Sequence, residues 1–359
     1  MAKMKRYAMI MAGGAGERFW PLSRIKKPKH LWNVTGADAC LLELTLKRVS
    51  KLVDFKNIFI VSNAEQCEAI LEVCPTLSRE QLVAEPLCRD TTAAIALGSI
   101  LVEKLSGGDD ASFAVFPSDH LISDDEAFVH SLNEAFCAAE KTSGLLTIGI
   151  KPTFPATGYG YIQKGKKLDG FECFKVNRFF EKPNAERAES YVASGQFYWN
   201  AGIFVWKNSA IQQQLRENAF AENKVFENMR KSILDGCNVE DALAEFYPKI
   251  EKISIDFSVM EKAKNAWVVP AGFGWDDVGS WSAIERHYQK DLKGNIAVGE
   301  FFEKDANNCV VFDVAGRATA IVGVSDLIVV HSKDATLICR KHCAEDLKTL
   351  VRQLPQKFR

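Results

Sequence analysis

The chain lacks any Cys-x-x-Cys pair, any low-complexity segment, any apolar run long enough to cross a bilayer, and almost any net charge. Each absence excludes something. Its ten cysteines are scattered at Cys40, Cys67, Cys74, Cys88, Cys137, Cys173, Cys237, Cys309, Cys339 and Cys343, so reduced, buried thiols are expected rather than disulfides or a zinc site. A formal net charge of −1 offers no global field to nucleic acid or to an anionic membrane. Any phosphate must therefore be held by a local cluster. With no apolar run of signal-peptide type and no spanning segment, a cytoplasmic location is expected, without nucleic-acid or membrane partners. Two familiar glycine loops are also missing. A Walker A loop would close on Gly-Lys-Ser/Thr, where this chain has Gly16-Glu17-Arg18. A dinucleotide fingerprint would place a third Gly opening a helix, where this chain has Phe19 and then Pro21.

What is present begins at the N-terminus. A short apolar run ending in residues 9–12 leads into Gly13-Gly14-Ala15-Gly16-Glu17-Arg18, then Pro21, Arg24, Pro28 and Lys29. Glycine allows positive φ and close backbone approach, and successive N–H groups in such a turn form an anion-binding concavity. Arg18, Arg24 and Lys29 add charge-assisted hydrogen bonds to phosphate oxygens. Two glycines alone would read as an ordinary turn, but with the cations in the same run the phosphate-holding reading prevails.

The 359 residues, 47% of them hydrophobic, suffice for one large core plus a smaller unit. Helical spacing over 41–52, 64–73, 91–105 and 124–141 alternates with β-rich runs at 58–61, 112–116 and 145–150, with Asp90 or Thr91 able to cap the third helix. This alternation predicts an α/β fold, a doubly wound and mostly parallel sheet, with ligands beyond the carboxyl ends of its strands. Further strands are read at 175–180 and 203–206. From about residue 290 short strands at 294–300, 309–313, 318–322, 327–330 and 336–339 follow one another between Gly, Asn and Asp turns. They predict a small, solenoid-like β unit closed by an amphipathic helix over 344–354.

Four constellations could carry chemistry. Pro117-Ser118-Asp119-His120 ends a strand beside the loop, and a carboxylate there is a natural Mg²⁺ ligand, though a lone strand-end Asp also caps turns. His120 reads as a structural hydrogen-bond partner rather than a base. Asp276-Asp277, between Trp275 and Trp281, would either complete a metal shell or form an Asx turn against the tryptophans. Gly158-Tyr159-Gly160, Glu181-Lys182 and Asn200 are the groups that read sugar hydroxyls and a sugar phosphate, or else ordinary turns and a surface ion pair. Glu85-Pro86-Leu87-Cys88-Arg89-Asp90-Thr91 could present polar groups to a base or ribose, or simply open a helix.

Together these pieces resemble the sugar-1-phosphate nucleotidylyltransferases, and among them the mannose-1-phosphate guanylyltransferases. The matching segments are 11–31, 85–95, 116–120, 157–162, 179–183, 199–206, 255–262 and 275–281, in the family's order along the whole chain. The resemblance implies a GT-A-like, Rossmann-like catalytic domain over 1–290 and a left-handed β-helix-like unit over 291–359. Gly13, Gly14 and Gly16 then match the loop over the nucleotide, and Arg18 and Lys29 the cations on its triphosphate. Glu85, Arg89 and Asp90 match the segment near guanosine. Gly158, Tyr159, Gly160, Glu181, Lys182 and Asn200 match the sugar-phosphate pocket, and Asp119 and Asp277 the magnesium pair. His30, Asp90, Ala201 and Asp276 depart from residues frequent in the family, Gln, Asn, Ser and Ser.

The implied reaction joins GTP and mannose 1-phosphate to give GDP-mannose and pyrophosphate, with Mg²⁺ as cofactor and a homodimer as the expected assembly. Two alternatives stay open: the same chemistry on another sugar 1-phosphate or nucleoside triphosphate, and a non-catalytic nucleotide-sugar sensor. A sensor has no need of the full set of Arg18, Lys29, Asp119 and Asp277. Some relatives carry a fused isomerase domain, and with the sequence ending at Arg359 isomerase activity is not expected.

Overall fold

The computed structural model describes residues 4–33, 36, 39–220 and 224–359. Strand β1 (Arg6–Met11) sets the layering. It turns Ala8 and Ile10 to one face and Tyr7 and Met9 to the other, all buried, as in a strand covered on both sides. Strands β2 (Ile58–Asn63), β3 (Leu82–Glu85) and β4 (Ser112–Pro117) join it in parallel. Of the intervening helices, α1 (Leu41–Val49), α2 (Cys67–Val73) and α4 (Asp125–Thr142) pack on the Ala8/Ile10 face, and α3 (Asp90–Ser106) on the Tyr7/Met9 face. Helix α3 starts at Asp90 itself, which stands at φ 67° and accepts from the Thr91 amide through Oδ1 (2.8 Å).

Beyond β4 the sheet is mixed. A two-residue strand, β5 (Leu121–Ile122), precedes β6 (Leu145–Ile150), β7 (Tyr161–Lys167), β8 (Phe174–Phe180), β9 (Phe197–Lys207) and β10 (Ala266–Pro270). The nine-stranded order is β3-β2-β1-β4-β9-β6-β10-β8-β7. The long strand β9 runs antiparallel to both β4 and β6 and also pairs with β7. Helices α5 (Ala185–Ser194) and α6 (Asn208–Gln214) contact β9, while α7 (Val225–Leu234) and α8 (Val239–Phe246) join α3 in the core on the Tyr7/Met9 face. A short ribbon of β5 with β11 (Trp275–Asp276) brings the chain after residue 275 back to the end of β4.

The last part stacks short strands. β12 (Ile296–Val298), β14 (Val310–Asp313) and β16 (Leu327–His331) form one parallel ladder, and β13 (Phe301–Lys304) and β15 (Thr319–Val322) a second. β17 (Thr336–Arg340) closes the first ladder antiparallel. The run expected at 294–300 proves to be β12 alone, since the chain turns at Gly299 (φ 104°) before β13. The expected terminal helix divides into a 3₁₀ segment, Lys341–Asp346, and α9 (Leu347–Gln353). All ten cysteines are free thiols, five of them buried.

This unit does not stand apart. Phe19, Trp20 and Leu22, from just past the glycine loop, share one core with Trp281, Phe312, Ile328, Leu347 and Val351. Trp281 is fully buried, lies 5.1 Å from Phe19 and 5.3 Å from Phe312 ring to ring, and donates from Nε1 to the Trp20 carbonyl (3.0 Å). Trp281→Ala should therefore cost about 3–5 kcal/mol, the range for emptying a buried indole site. Trp281→Phe should cost about 1–3 kcal/mol, because it refills most of the volume but strands the carbonyl. Urea unfolding of the two variants measures both.

Candidate active site

The loop after β1 is shaped at Gly16. Its φ is +60°, and a Cβ there would lie 2.7 Å from Ser23 Oγ and 2.8 Å from Lys29 Cβ, so both backbone conformation and space demand glycine. Ser23 Oγ donates to the Ala15 carbonyl (2.7 Å) and pins the turn. Gly14 faces open space. Lys29 follows in a 3₁₀ turn, Lys29–Leu31, with its side chain buried. Its ammonium donates to the carbonyls of Asp277 (3.0 Å) and Val278 (2.9 Å) and pairs with Asp119 Oδ2 (2.7 Å). Three N–H donors meet three acceptors.

Asp119 leaves the carboxyl end of β4. Burial opposes its charge, but the Lys29 ammonium, by its charge and its hydrogen bond, outweighs burial and holds its carboxyl at about 2. His120 Nδ1 accepts from Trp275 Nε1 (3.1 Å), and burial lowers its pKa, so it is a neutral structural partner as its sequence context suggested.

The ribbon β5–β11 sets Asp276 opposite Leu121 and separates the two adjacent acids. Asp276 turns inward. It accepts from Arg286 Nη2 (2.8 Å) and the Val278 amide (2.8 Å) and meets His287 Nε2 (2.9 Å); despite burial, these partners hold it well below the usual carboxylate range. Asp277 turns outward and accepts from the Tyr159 hydroxyl (2.7 Å). Asp276 thus makes the Asx turn, and Asp277 faces the cleft.

That cleft, of about 330 Å³, is lined by Gly16, Arg18, Lys29, Asp119, Asp277 and Lys348, among others. A second cleft of about 470 Å³, lined by Gly158, Tyr159 and Lys182, shares Arg18, Asp277 and Gly279 with the first. The two adjoin at these residues. Arg18 stands at their junction, half exposed and paired through Nε with Glu345 Oε2 (2.7 Å). Arg24 does not join them. It donates to the Pro21 carbonyl and to Asp334 (2.8 Å) in a separate recess, which corrects its grouping with Arg18 and Lys29.

Toward the sugar-reading segments, a Cβ on Gly160 would lie 2.6 Å from Glu181 Oε2, and Lys182 Nζ lies 3.0 Å from Glu181 Oε1. Asn200 is held by three contacts: Nδ2 donates to Asp256 (2.7 Å), and Oδ1 accepts from Thr147 Oγ1 (2.9 Å) and the Gly202 amide (3.2 Å). Asp256 was not singled out from the sequence, although segment 255–262 was. Burial, then the charge of Glu181, pushes it up to about 7. At the other side, Glu85 closes β3 beneath Gly13, whose Cβ would lie 3.2 Å from Glu85 Oε2. Tyr247, also missed, donates its hydroxyl to Glu85, and burial raises that carboxyl to about 7. Arg89 donates to the Pro248 carbonyl (2.6 Å), and Thr91 Oγ1 accepts from the Ile255 amide (2.8 Å), tying the 85–91 segment to the 247–256 segment. No sequence signal marked Tyr247; its role comes from the packing of distant chain.

Glu85 and Asp256 each bind a proton more tightly folded than at their ordinary values of 4.5 and 3.8. Their contribution to stability is complete below about pH 4 and is lost as pH rises through about 7, on the order of 3 kcal/mol for each group. Glu85→Gln and Asp256→Asn should each flatten the wild-type loss of stability across that window, which denaturant unfolding at stepped pH would record.

Comparison with known proteins gives the family. The Nucleotidyl transferase family model matches residues 7–294, and the MannoseP isomerase/GMP-like beta-helix domain model matches 299–354. The mannose-1-phosphate guanylyltransferase of Escherichia coli K12 is 35% identical over 99% of this chain and 74% of its own length. The alginate biosynthesis protein AlgA of Pseudomonas aeruginosa is 35% identical over 98% of this chain and 72% of its own. A crystal structure from Thermus thermophilus, described as a mannose-1-phosphate geranyltransferase, superposes with a TM-score of 0.84 at 35% identity, covering 98% of this chain and 99% of that one. The chain belongs to the nucleotidyl transferases, within the family of the mannose-1-phosphate guanylyltransferases.

Proposed function

We propose that this protein makes GDP-mannose and pyrophosphate from GTP and mannose 1-phosphate. The observation that carries the reading is a pair of adjoining clefts sharing Arg18, Asp277 and Gly279, one with cations and a charged carboxylate at the glycine loop, the other lined by Gly158, Tyr159 and Lys182. Family membership supports the same pair of substrates.

Magnesium fits the residues present. Asp119, held ionised, and Asp277 face the same cleft. Among the described residues no group of three or more His, Cys, Asp or Glu could cage an ion alone, so the rest of a Mg²⁺ shell would come from substrate phosphates and water, as that ion prefers. When bound, Mg²⁺ supplies charge neutralisation at the reacting phosphates. Asp119 and Asp277 would hold it, with Lys29 orienting Asp119.

The nucleophile needs no base. A phosphate monoester has its second pKa near 6 and is mostly dianionic at neutral pH. One of its oxygens attacks the α-phosphorus of GTP, the bond to the β-phosphate oxygen breaks, and pyrophosphate leaves with its electron pair. His120, neutral and bound to Trp275, has no proton to take. The protein's work is alignment and charge compensation. Gly13, Gly14 and Gly16 let backbone approach the phosphates, while Arg18 and Lys29 offset the charge of the departing pyrophosphate. On this reading Glu85, Arg89 and Asp90 would serve guanosine, and Glu181, Lys182 and Asn200, which donates to Asp256, would serve the sugar.

Two neighbours should separate cleanly. Asp277→Asn should lower kcat by about 100-fold or more with an unchanged unfolding midpoint, as loss of an electrostatic group at the reacting centre does. Asp276→Asn should destabilise the fold by on the order of 1–3 kcal/mol, because Arg286 and His287 lose their shared partner. Pyrophosphate release, measured with GTP, ATP, CTP and UTP against mannose, glucose and heptose 1-phosphates, with and without Mg²⁺, tests the substrate pair. GTP with mannose 1-phosphate should lead; release from a different pair would replace this assignment, and none from any pair would favour a sensor.

A further inference from the structure

The phosphate cleft has a wall that the catalytic fold does not supply. Helix α9 buries Leu347 and Val351 in the core it shares with Phe19 and Trp20, so it is fixed against the glycine loop. Its neighbouring residues face the loop. Glu345 pairs with Arg18 (2.7 Å), Arg352 with Glu17 (3.3 Å), and Lys348 lines the cleft together with Gly16, Arg18 and Lys29.

The charges around that cleft are not equivalent. Lys29 is matched by Asp119 and Arg18 by Glu345. Lys348 has no hydrogen bond or ion pair among the described residues, and it sits on the same small cleft as two other cations. Lys348 is exposed on this cleft, so its ammonium is free to meet an anion that arrives there. Lysine acts on phosphate as a compact point charge and needs no forked geometry.

We infer that Lys348 of the C-terminal helix is a ligand of the nucleotide's β- and γ-phosphates, and that Glu345 holds Arg18 as a resting counter-ion which those phosphates displace. The inference rests on the reading of this cleft as the triphosphate site. It makes the C-terminal unit a contributor to the reaction chemistry, across more than 300 residues of sequence from the loop it completes.

Binding of inorganic tripolyphosphate to the full chain, followed by calorimetry, tests this without turnover. Lys348→Ala should weaken it roughly tenfold, the weight of one exposed charge-assisted contact, and Lys348→Arg should recover most of the loss. Glu345→Gln should tighten it severalfold by freeing Arg18. In steady state with Mg²⁺, Lys348→Ala should raise KM for GTP by a similar factor and leave KM for mannose 1-phosphate within about twofold, at an unchanged unfolding midpoint. Tripolyphosphate that fails to bind the wild type, binds Lys348→Ala equally well, or binds Glu345→Gln more weakly would overturn the inference, as would an equal loss for both substrates. A wild type that binds tripolyphosphate in a Lys348-dependent way yet releases no pyrophosphate from any substrate pair would sink the proposed activity and support the Lys348 assignment.

Discussion

One buried ammonium organises this molecule's site. Lys29 Nζ is held at once by the Asp119 carboxylate and by the carbonyls of Asp277 and Val278. The groups in this contact arrive from different places: the turn after the glycine loop, the exit of β4, and the far end of the β5–β11 ribbon. A buried charge without partners costs several kcal/mol, so each segment is constrained to deliver its acceptor. The consequence is functional. The contact that satisfies Lys29 also keeps Asp119 ionised and sets Asp277 on the same cleft, and this leaves two carboxylates beside a loop of backbone N–H groups.

The C-terminal stack supports that arrangement from behind. Short strands with apolar inward residues cannot bury enough surface alone, and here they close over Phe19, Trp20 and Trp281. The indole of Trp281 ties the stack to the loop's backbone, and the Trp20 indole donates to the Phe358 carbonyl (2.8 Å) near the last residue. The loop is therefore positioned by residues on both sides of it, which matters because phosphoryl-type transfer depends on alignment more than on proton movement. Such a loop does not have to be ordered by its ligand.

Much of this was legible in the residues. The alternation of apolar runs located β1, β2, β4 and the helices around them, because their periodicity is local. The glycine-and-cation run, Asp119 at a strand end, and the Asp pair beside tryptophans each carried a local chemical signature. What was not legible depends on distant packing. β10 (Ala266–Pro270) is a short run ending in proline, and β3 (Leu82–Glu85) is too brief to show a period. The extension of β9 back to Phe197 is fixed by pairing with β7, which local pattern does not encode. Asp256 and Tyr247 gain their importance from Asn200 and Glu85, residues 56 and 162 positions away. Arg24 misled because charge in sequence does not reveal direction; the reciprocal turn between Arg24 and Lys27 aims its side chain at Asp334.

On the proposed reading, phosphates bind between the glycine loop and the two outward carboxylates, with a divalent ion between them. A crystal structure with GDP-mannose and Mn²⁺ in place of Mg²⁺, the ion located by its anomalous signal, is the most direct measurement. The expected result is a single metal peak touching the carboxylates of Asp119 and Asp277 and an oxygen of the diphosphate, with the mannose ring toward Glu181 and Asn200. A diphosphate bound elsewhere, or a metal peak distant from both carboxylates, would contradict it.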